Sequence, residues 1–157
     1  MDYSDEFIKR ILTEVRVIAI VGLSINPIRP SYYVAKYLKM KGFDIIPVNP
    51  RFAGQVIFGK VVMSCLGDIK RPVDMVDIFR RSDAVPEIFK EAVSHLHGLK
   101  IIWMQLGIEN SKVAKQAESL GLTVVQDRCP KIEYQRLFGE LRMGGFATGL
   151  ISSKLSI

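Results

Sequence analysis

The sequence predicts an α/β domain, a mainly parallel five-stranded sheet with helices on both faces. Apolar runs such as Val17-Ile18-Ala19-Ile20-Val21 are continuous rather than alternating, as strands buried on both sides are. Stretches with apolar residues at helical spacing separate these runs, so strand and helix alternate along the chain as in βαβ units. Glycines at 42 and 121 stand where two of the helical patterns stop.

Residues 5–15 carry Phe7, Ile8, Ile11, Leu12 and Val15 at helical period. A first strand follows over 16–21. Residues 31–41 form a helix with the stripe Val34, Tyr37, Leu38, and 43–48 form a second strand closed by Asn49-Pro50-Arg51. Residues 53–63 read as an extended excursion with turns at Gly54 and Gly59. A third strand spans 73–79, and a helix with Ser82 as its N-cap spans 82–96. The fourth strand is 100–105, a helix covers 110–120, and the fifth strand is 122–126. A last helix runs from Pro130 to about Arg142, proline suiting a first turn.

At 157 residues the chain is long enough for one domain with a substantial core, expected over 1–142, with 143–157 as a loosely attached tail. The start, Met1-Asp2-Tyr3-Ser4-Asp5-Glu6, is acidic and lacks the layout of an export signal. No apolar run approaches the roughly 20 residues that span a bilayer, so a cytoplasmic protein without membrane attachment is expected. Cys65 and Cys129 lie far apart, without the spacing of a disulfide framework or a zinc site. The net charge of +6 comes from dispersed residues, 22 Lys and Arg against 16 Asp and Glu. With no long basic run and no nucleic-acid motif, it favours a small polyanion over a nucleic acid.

In an open parallel sheet, ligands bind beyond the carboxyl ends of the strands, where strand order reverses. The first such end, Gly22-Leu23-Ser24-Ile25-Asn26-Pro27-Ile28-Arg29-Pro30-Ser31, joins a buried strand to a helix. Gly22 allows close approach to the main chain, and the positive end of the helix dipole points to the same place. Arginines mark three other ends, Arg51, Arg80-Arg81 and Arg128, which points to an anionic ligand. A dinucleotide fingerprint would need glycine where the chain has Ser24 and Pro27. The second strand ends in Asn49-Pro50-Arg51 without the carboxylate that holds unphosphorylated ribose hydroxyls. A ligand with a phosphorylated adenosine ribose is favoured over NAD; NADP and coenzyme A both qualify.

The combination of Val21-Gly22-Leu23-Ser24, Asn26-Pro27, Arg29-Pro30-Ser31-Tyr32, Pro47-Val48-Asn49-Pro50-Arg51, Asp77-Ile78-Phe79-Arg80-Arg81-Ser82, Trp103-Met104-Gln105-Leu106-Gly107-Ile108 and Asp127-Arg128-Cys129-Pro130-Lys131-Ile132-Glu133 resembles the stand-alone CoA-binding domain family. That family is similar to the nucleotide-binding domain of the succinyl-CoA synthetase α subunit. The resemblance covers about Phe7 to Leu137 and implies a Rossmann-like fold with strand order 3-2-1-4-5. It implies coenzyme A or an acyl-CoA as ligand. Gly22, Leu23, Ser24, Asn26, Pro27, Arg29, Pro30, Ser31 and Tyr32 would cradle the phosphates through backbone N–H groups, with Ser24 and Arg29 assisting. Val48, Asn49, Pro50 and Arg51 would lie beside the adenosine, Arg51 meeting the ribose phosphate. Phe79, Arg80 and Arg81 would border adenine or phosphates, and Gln105, Gly107 and Ile108 would line the pantetheine route.

The synthetases work through a phosphorylated histidine in a second domain, for which this chain is too short. His95 and His97, two residues apart near a helix end, cannot face one ligand and read as solvated or capping. Asp74 and Asp77 fall on opposite faces of a strand, so no carboxylate pair forms, and Asp77 is expected to tie loop backbone. Trp103 reads as core. Cys129, between Arg128 and Lys131 at a helix start, could exchange disulfides with a bound thiol; the competing reading is a small buried side chain. No residue set specifies a reaction. A non-catalytic carrier, sensor or regulatory module is expected, with an NADP-dependent or Cys129-dependent thiol-exchange enzyme as the alternative.

Overall fold

The computed structural model describes residues 2–139. Five parallel strands make one sheet: β1 (Val17–Val21), β2 (Asp44–Val48), and, after a small hairpin of β3 (Val56–Ile57) and β4 (Lys60–Val61), β5 (Met75–Ile78), β6 (Ile101–Met104) and β7 (Thr123–Val125). The sheet order is β2-β1-β5-β6-β7. The five strands legible in the sequence therefore run 2-1-3-4-5. The 3-2-1-4-5-like arrangement appears once the rudimentary strand outside β2 is counted as the third. There a single parallel bridge joins Met63 to Val48, with Met63 N–H donating to the Pro47 carbonyl at 2.9 Å. Pro47 presents that carbonyl outward and has no N–H beside it, so this ladder cannot lengthen along the strand.

Helices α1 (Asp5–Glu14), α2 (Pro30–Met40) and α5 (Pro130–Leu137) cover one face, packing on Ile18, Ile20, Met75 and Trp103. Helices α3 (Val85–His95) and α4 (Ser111–Ser119) cover the other, over Ala19, Val76, Ile78, Ile102 and Met104. Both faces of the strands are mostly apolar, with Asp77 inside β5 the buried exception, which is why the sequence shows runs rather than alternation. Trp103 is fully buried and donates its indole N–H to the Arg128 carbonyl at 2.8 Å.

Helix ends follow local chemistry. Ser4 caps α1 by accepting from Phe7 N–H. Ser82 does not cap α3: a 3-10 turn over Ser82–Ala84 precedes that helix, and the Ser82 hydroxyl accepts from Glu109 N–H at 3.1 Å, joining two strand-end loops. The last helix stops at Leu137, short of the expected Arg142, and Gly139 takes a left-handed φ of 83° just beyond it. The expected tail, 143–157, lies outside the described residues. Residues 53–63 fold into the hairpin, with Phe58 at φ 53° and Gly59 at φ 74° in its tight turn. Among the described residues no helix is long and apolar enough to cross a membrane.

Of the two aspartates near β5, it is Asp74 and not Asp77 that ties backbone. Asp74, before the strand, accepts from Arg16 N–H and Val17 N–H through one carboxylate oxygen at 2.9 Å each, tying the start of β1 to β5. Asp77, inside the strand, is completely buried and ties no loop backbone. Replacing Asp74 with alanine should cost about 1–3 kcal/mol of stability, read as a lower urea midpoint at unchanged slope, because two strand-entry donors lose their acceptor.

Candidate nucleotide cleft

Strand order reverses between β1 and β5. The chain leaves β1 for α2 on one face and leaves β5 for α3 on the other, which opens a crevice at the carboxyl ends. Its floor is a close backbone approach. Gly22 has φ 91°, its N–H donates to the Val48 carbonyl at 2.8 Å, and a Cβ built on it would overlap the carbonyl oxygen of Phe79. It would also stand 3.1 Å from Arg80 Cδ. Glycine here lets the first and third crest loops touch.

A pocket of about 340 Å³ opens on this floor, lined by Gly22, Ser24, Arg29, Pro30, Ser31, Asn49, Arg51, Phe52, Phe79 and Arg80. Nine of these ten were nominated by the sequence. Three guanidinium groups, from separate strand ends, border one opening that carries no carboxylate. Phe52 was missed. It lies in a 3-10 turn over Pro50–Phe52, with the Arg51 guanidinium 5.4 Å from its ring centroid. An aromatic one residue past a strand-end arginine carries no positional signature of its own, so only the turn brings it to the pocket.

The first loop is held by its own side chains. Ser31 Oγ accepts from Ser24 N–H at 2.9 Å, Ser24 Oγ from Asn26 N–H at 3.0 Å, and Asn26 Oδ1 from Ile28 N–H at 3.1 Å. Arg29 N–H donates to the Asn26 carbonyl. These bonds occupy much of the backbone expected to meet phosphate and fix the loop's shape instead. The N–H groups of Leu23, Ile25 and Ser31 find no acceptor among the described residues, and Ser31 sits in the first turn of α2 after Pro30, which has none to offer. Of the three, Ser31 lines the pocket, so its main-chain donor stands beside the positive end of the helix dipole where an anion would bind.

Asn49 joins this loop to the next strand end. Buried to 7% exposure, it donates from Nδ2 to the Leu23 carbonyl at 3.1 Å and accepts at Oδ1 from Arg51 N–H at 3.0 Å. Its own N–H donates to the Met63 carbonyl. The separation of the first loop and Arg51 is therefore set by one side chain.

The other nominated residues lie elsewhere. Leu23 and Val48 point into the two cores. Asn26, Pro27 and Pro50 shape turns beside the pocket without lining it. Tyr32 packs on Phe58 of the hairpin, ring centroids 5.1 Å apart. Arg81 is solvated and 3.5 Å from Asp83. Gln105, Gly107 and Ile108 follow β6, one strand beyond the crevice. Gly107 N–H donates to Asp127 Oδ1 at 2.6 Å, bracing that loop against the one after β7. Cys129 is 2% exposed at the start of α5, and burial raises its thiol pKa above the ordinary value, with partial relief from hydrogen bonds to Ile132, Gln105 and Lys131. The thiolate that disulfide exchange requires is disfavoured there.

Comparison with known proteins agrees with this anatomy. Uncharacterized protein YneT of Bacillus subtilis is 35% identical over 127 residues, 81% of this chain and 91% of its own. A solved protein of Thermus thermophilus superposes with TM-score 0.81 at 35% identity, covering 87% of this chain and all of that one. A hypothetical protein of Pyrococcus horikoshii gives 0.80 at 34% identity over 87% and 94%. The dinucleotide-forming acetyl-coenzyme A synthetase 1 of Ca. Korarchaeum cryptofilum shares the fold, with TM-score 0.56 at 21% identity over 69% of this chain and 25% of that one. A glycine-floored switch-point crevice, a side-chain-braced first loop and Asn-Pro-Arg after β2 sit within the 16–135 stretch that matches the family described as CoA binding domain, and to that family this chain belongs.

Proposed function

We propose that the cleft binds coenzyme A or an acyl-CoA, and that the protein acts by binding, as a carrier, sensor or regulatory module, without a reaction of its own. The observation that carries this is the convergence of Arg29, Arg51 and Arg80 on a pocket floored by Gly22 with the Ser31 main-chain donor beside it. Paired guanidinium and N–H donors suit a pyrophosphate. Arg51, beyond β2 and over Phe52, suits a phosphate on the adenosine ribose, with the aromatic face available to adenine.

NADP shares the ribose phosphate, so the two are separated by experiment. A ligand that prefers the native state raises the melting temperature, by the equivalent of about 2.7 kcal/mol at a hundredfold excess over Kd. Coenzyme A and acetyl-CoA should raise it, and NADP and NAD should not. Stabilisation by NADP without coenzyme A would replace this reading with a nicotinamide-dependent one. Arg51→Ala should weaken coenzyme A about tenfold and dephospho-CoA much less, measured by calorimetric titration; equal losses would remove Arg51 from the ribose phosphate. The thiol-exchange alternative has less support, given the burial and raised pKa of Cys129.

A further inference from the structure

Outside the cleft, the crossover from β2 to β5 departs from the pattern of the other crossovers. It carries no α-helix, only the hairpin and a 3-10 turn over Leu66–Asp68. A parallel sheet needs cover on both faces, and here the outer margin of β2 on the α3/α4 face is left short of it. A pocket of about 280 Å³ results, walled mostly by Ile46, Pro47, Val61, Met63 and Ile69, and it shares no residue with the nucleotide cleft. Beside this hollow stands a ridge. Val56 and Val61 oppose each other in the hairpin register, on one face, with 67% and 50% of their surface exposed. Hollow and ridge form one apolar surface that no element of the described residues covers.

The geometry points to a second copy of this chain as the occupant, docked about a two-fold axis so that the valine ridge of each copy enters the hollow of the other. A two-fold contact needs one patch that carries both the knob and the hole that receives it, and this patch carries both. Charge selects the same occupant. Two cations on the rim, Lys60 and Arg71, are already matched by Asp44, with Lys60 Nζ 2.6 Å from its carboxylate. Asp68 and Lys70, two residues apart on the same rim and exposed, make no ion pair with any described residue. A purely anionic partner would be opposed by Asp68, and a purely cationic one by Lys70. A two-fold copy answers both, its Lys70 meeting this Asp68 and its Asp68 meeting this Lys70. The inference goes beyond the coenzyme A reading and does not depend on it.

Sedimentation equilibrium of the full chain over a range of concentrations tests this. The patch is small, so the wild type should dimerise with a Kd of about 1–100 µM at low salt. Val61→Asp should weaken the dimer at least about tenfold, by placing a charge in the apolar contact. Lys70→Asp and Asp68→Lys should each weaken it by about tenfold, by setting like charges opposite one another. An equimolar mixture of those two variants should form a heterodimer. The double variant, Asp68→Lys with Lys70→Asp, should regain the wild-type Kd, because exchanging both signs leaves the two-fold pairing intact. If Val61→Asp fails to fold, the exposed charge positions decide alone. A wild type still monomeric at about 1 mM overturns the proposal, and so does a dimer indifferent to all three single variants. Charge variants that weaken the dimer without recovering in the mixture refute the two-fold pairing. Native mass spectrometry reads the other occupants: a monomer holding a small apolar molecule or a different protein, released by Val61→Asp, gives the hollow to that partner and overturns the proposal. A wild type that dimerises but ignores coenzyme A refutes only the reading of the cleft.

Discussion

Gly22→Ala should destabilise the domain by about 2–5 kcal/mol and abolish measurable coenzyme A binding. Two costs combine. A residue with a Cβ at φ 91° is strained by about 1–2 kcal/mol, and here the added methyl meets the Phe79 backbone carbonyl, which cannot rotate away as a side chain would. Relief requires β1 and β5 to part at their carboxyl ends or the Arg80 loop to shift, and overpacking of this kind adds about 1–3 kcal/mol. Either movement displaces a guanidinium from the pocket rim, so affinity falls together with stability. Gly54→Ala is the control, because Gly54 has φ 87° but nothing within 4 Å of the built Cβ. It should cost about 1 kcal/mol, from backbone strain alone, and leave binding unchanged. Equal urea midpoints for the two variants would show that backbone conformation, and not the contact with Phe79, accounts for Gly22.

The sequence carried the architecture because burial on both faces writes itself as unbroken apolar runs, and strand ends then locate the crest loops. Nine pocket residues were legible for that reason. Strand neighbours were harder: an apolar run says that a strand is covered, not which strand lies beside it, and the Met63 bridge is a single pairing with no periodicity to detect. The bracing of the first loop was also hidden. Ser24, Asn26 and Ser31 were nominated for a loop that meets phosphate through its backbone, and their side-chain oxygens also accept from Asn26, Ile28 and Ser24 N–H respectively. Short polar side chains suit both tasks equally well by composition, and only the loop's dihedral angles decide. Cys129 has basic neighbours in sequence, but its burial at the start of α5 is the largest influence on its thiol. Asp77 was misread because three residues of spacing fix a face but not what covers it.

Asp77 also makes the protein's stability fall as pH rises, and Asp77→Asn should remove that slope. The folded-state pKa is raised by burial, while in the unfolded chain the carboxyl ionises at its ordinary value near 4. Between those two values the native state holds a proton that the unfolded state has lost. Stability therefore declines with rising pH, by up to about 1.4 kcal/mol per unit, from the ordinary carboxyl range until the folded pKa is passed. Below that window the contribution is fully present. Asp44 acts in the opposite sense, held low first by the Lys60 hydrogen bond and also by Arg71, so it loses stability only toward acid. The Cys129 thiol, which faces Asp77 from α5, titrates above its ordinary value and enters only at alkaline pH. Subtracting the Asp77→Asn curve from the wild-type curve cancels Asp44 and leaves the aspartate. Urea midpoints across pH 4–8 should give a difference that favours the variant increasingly with pH. A flat difference would mean that Asp77 ionises normally in the folded protein.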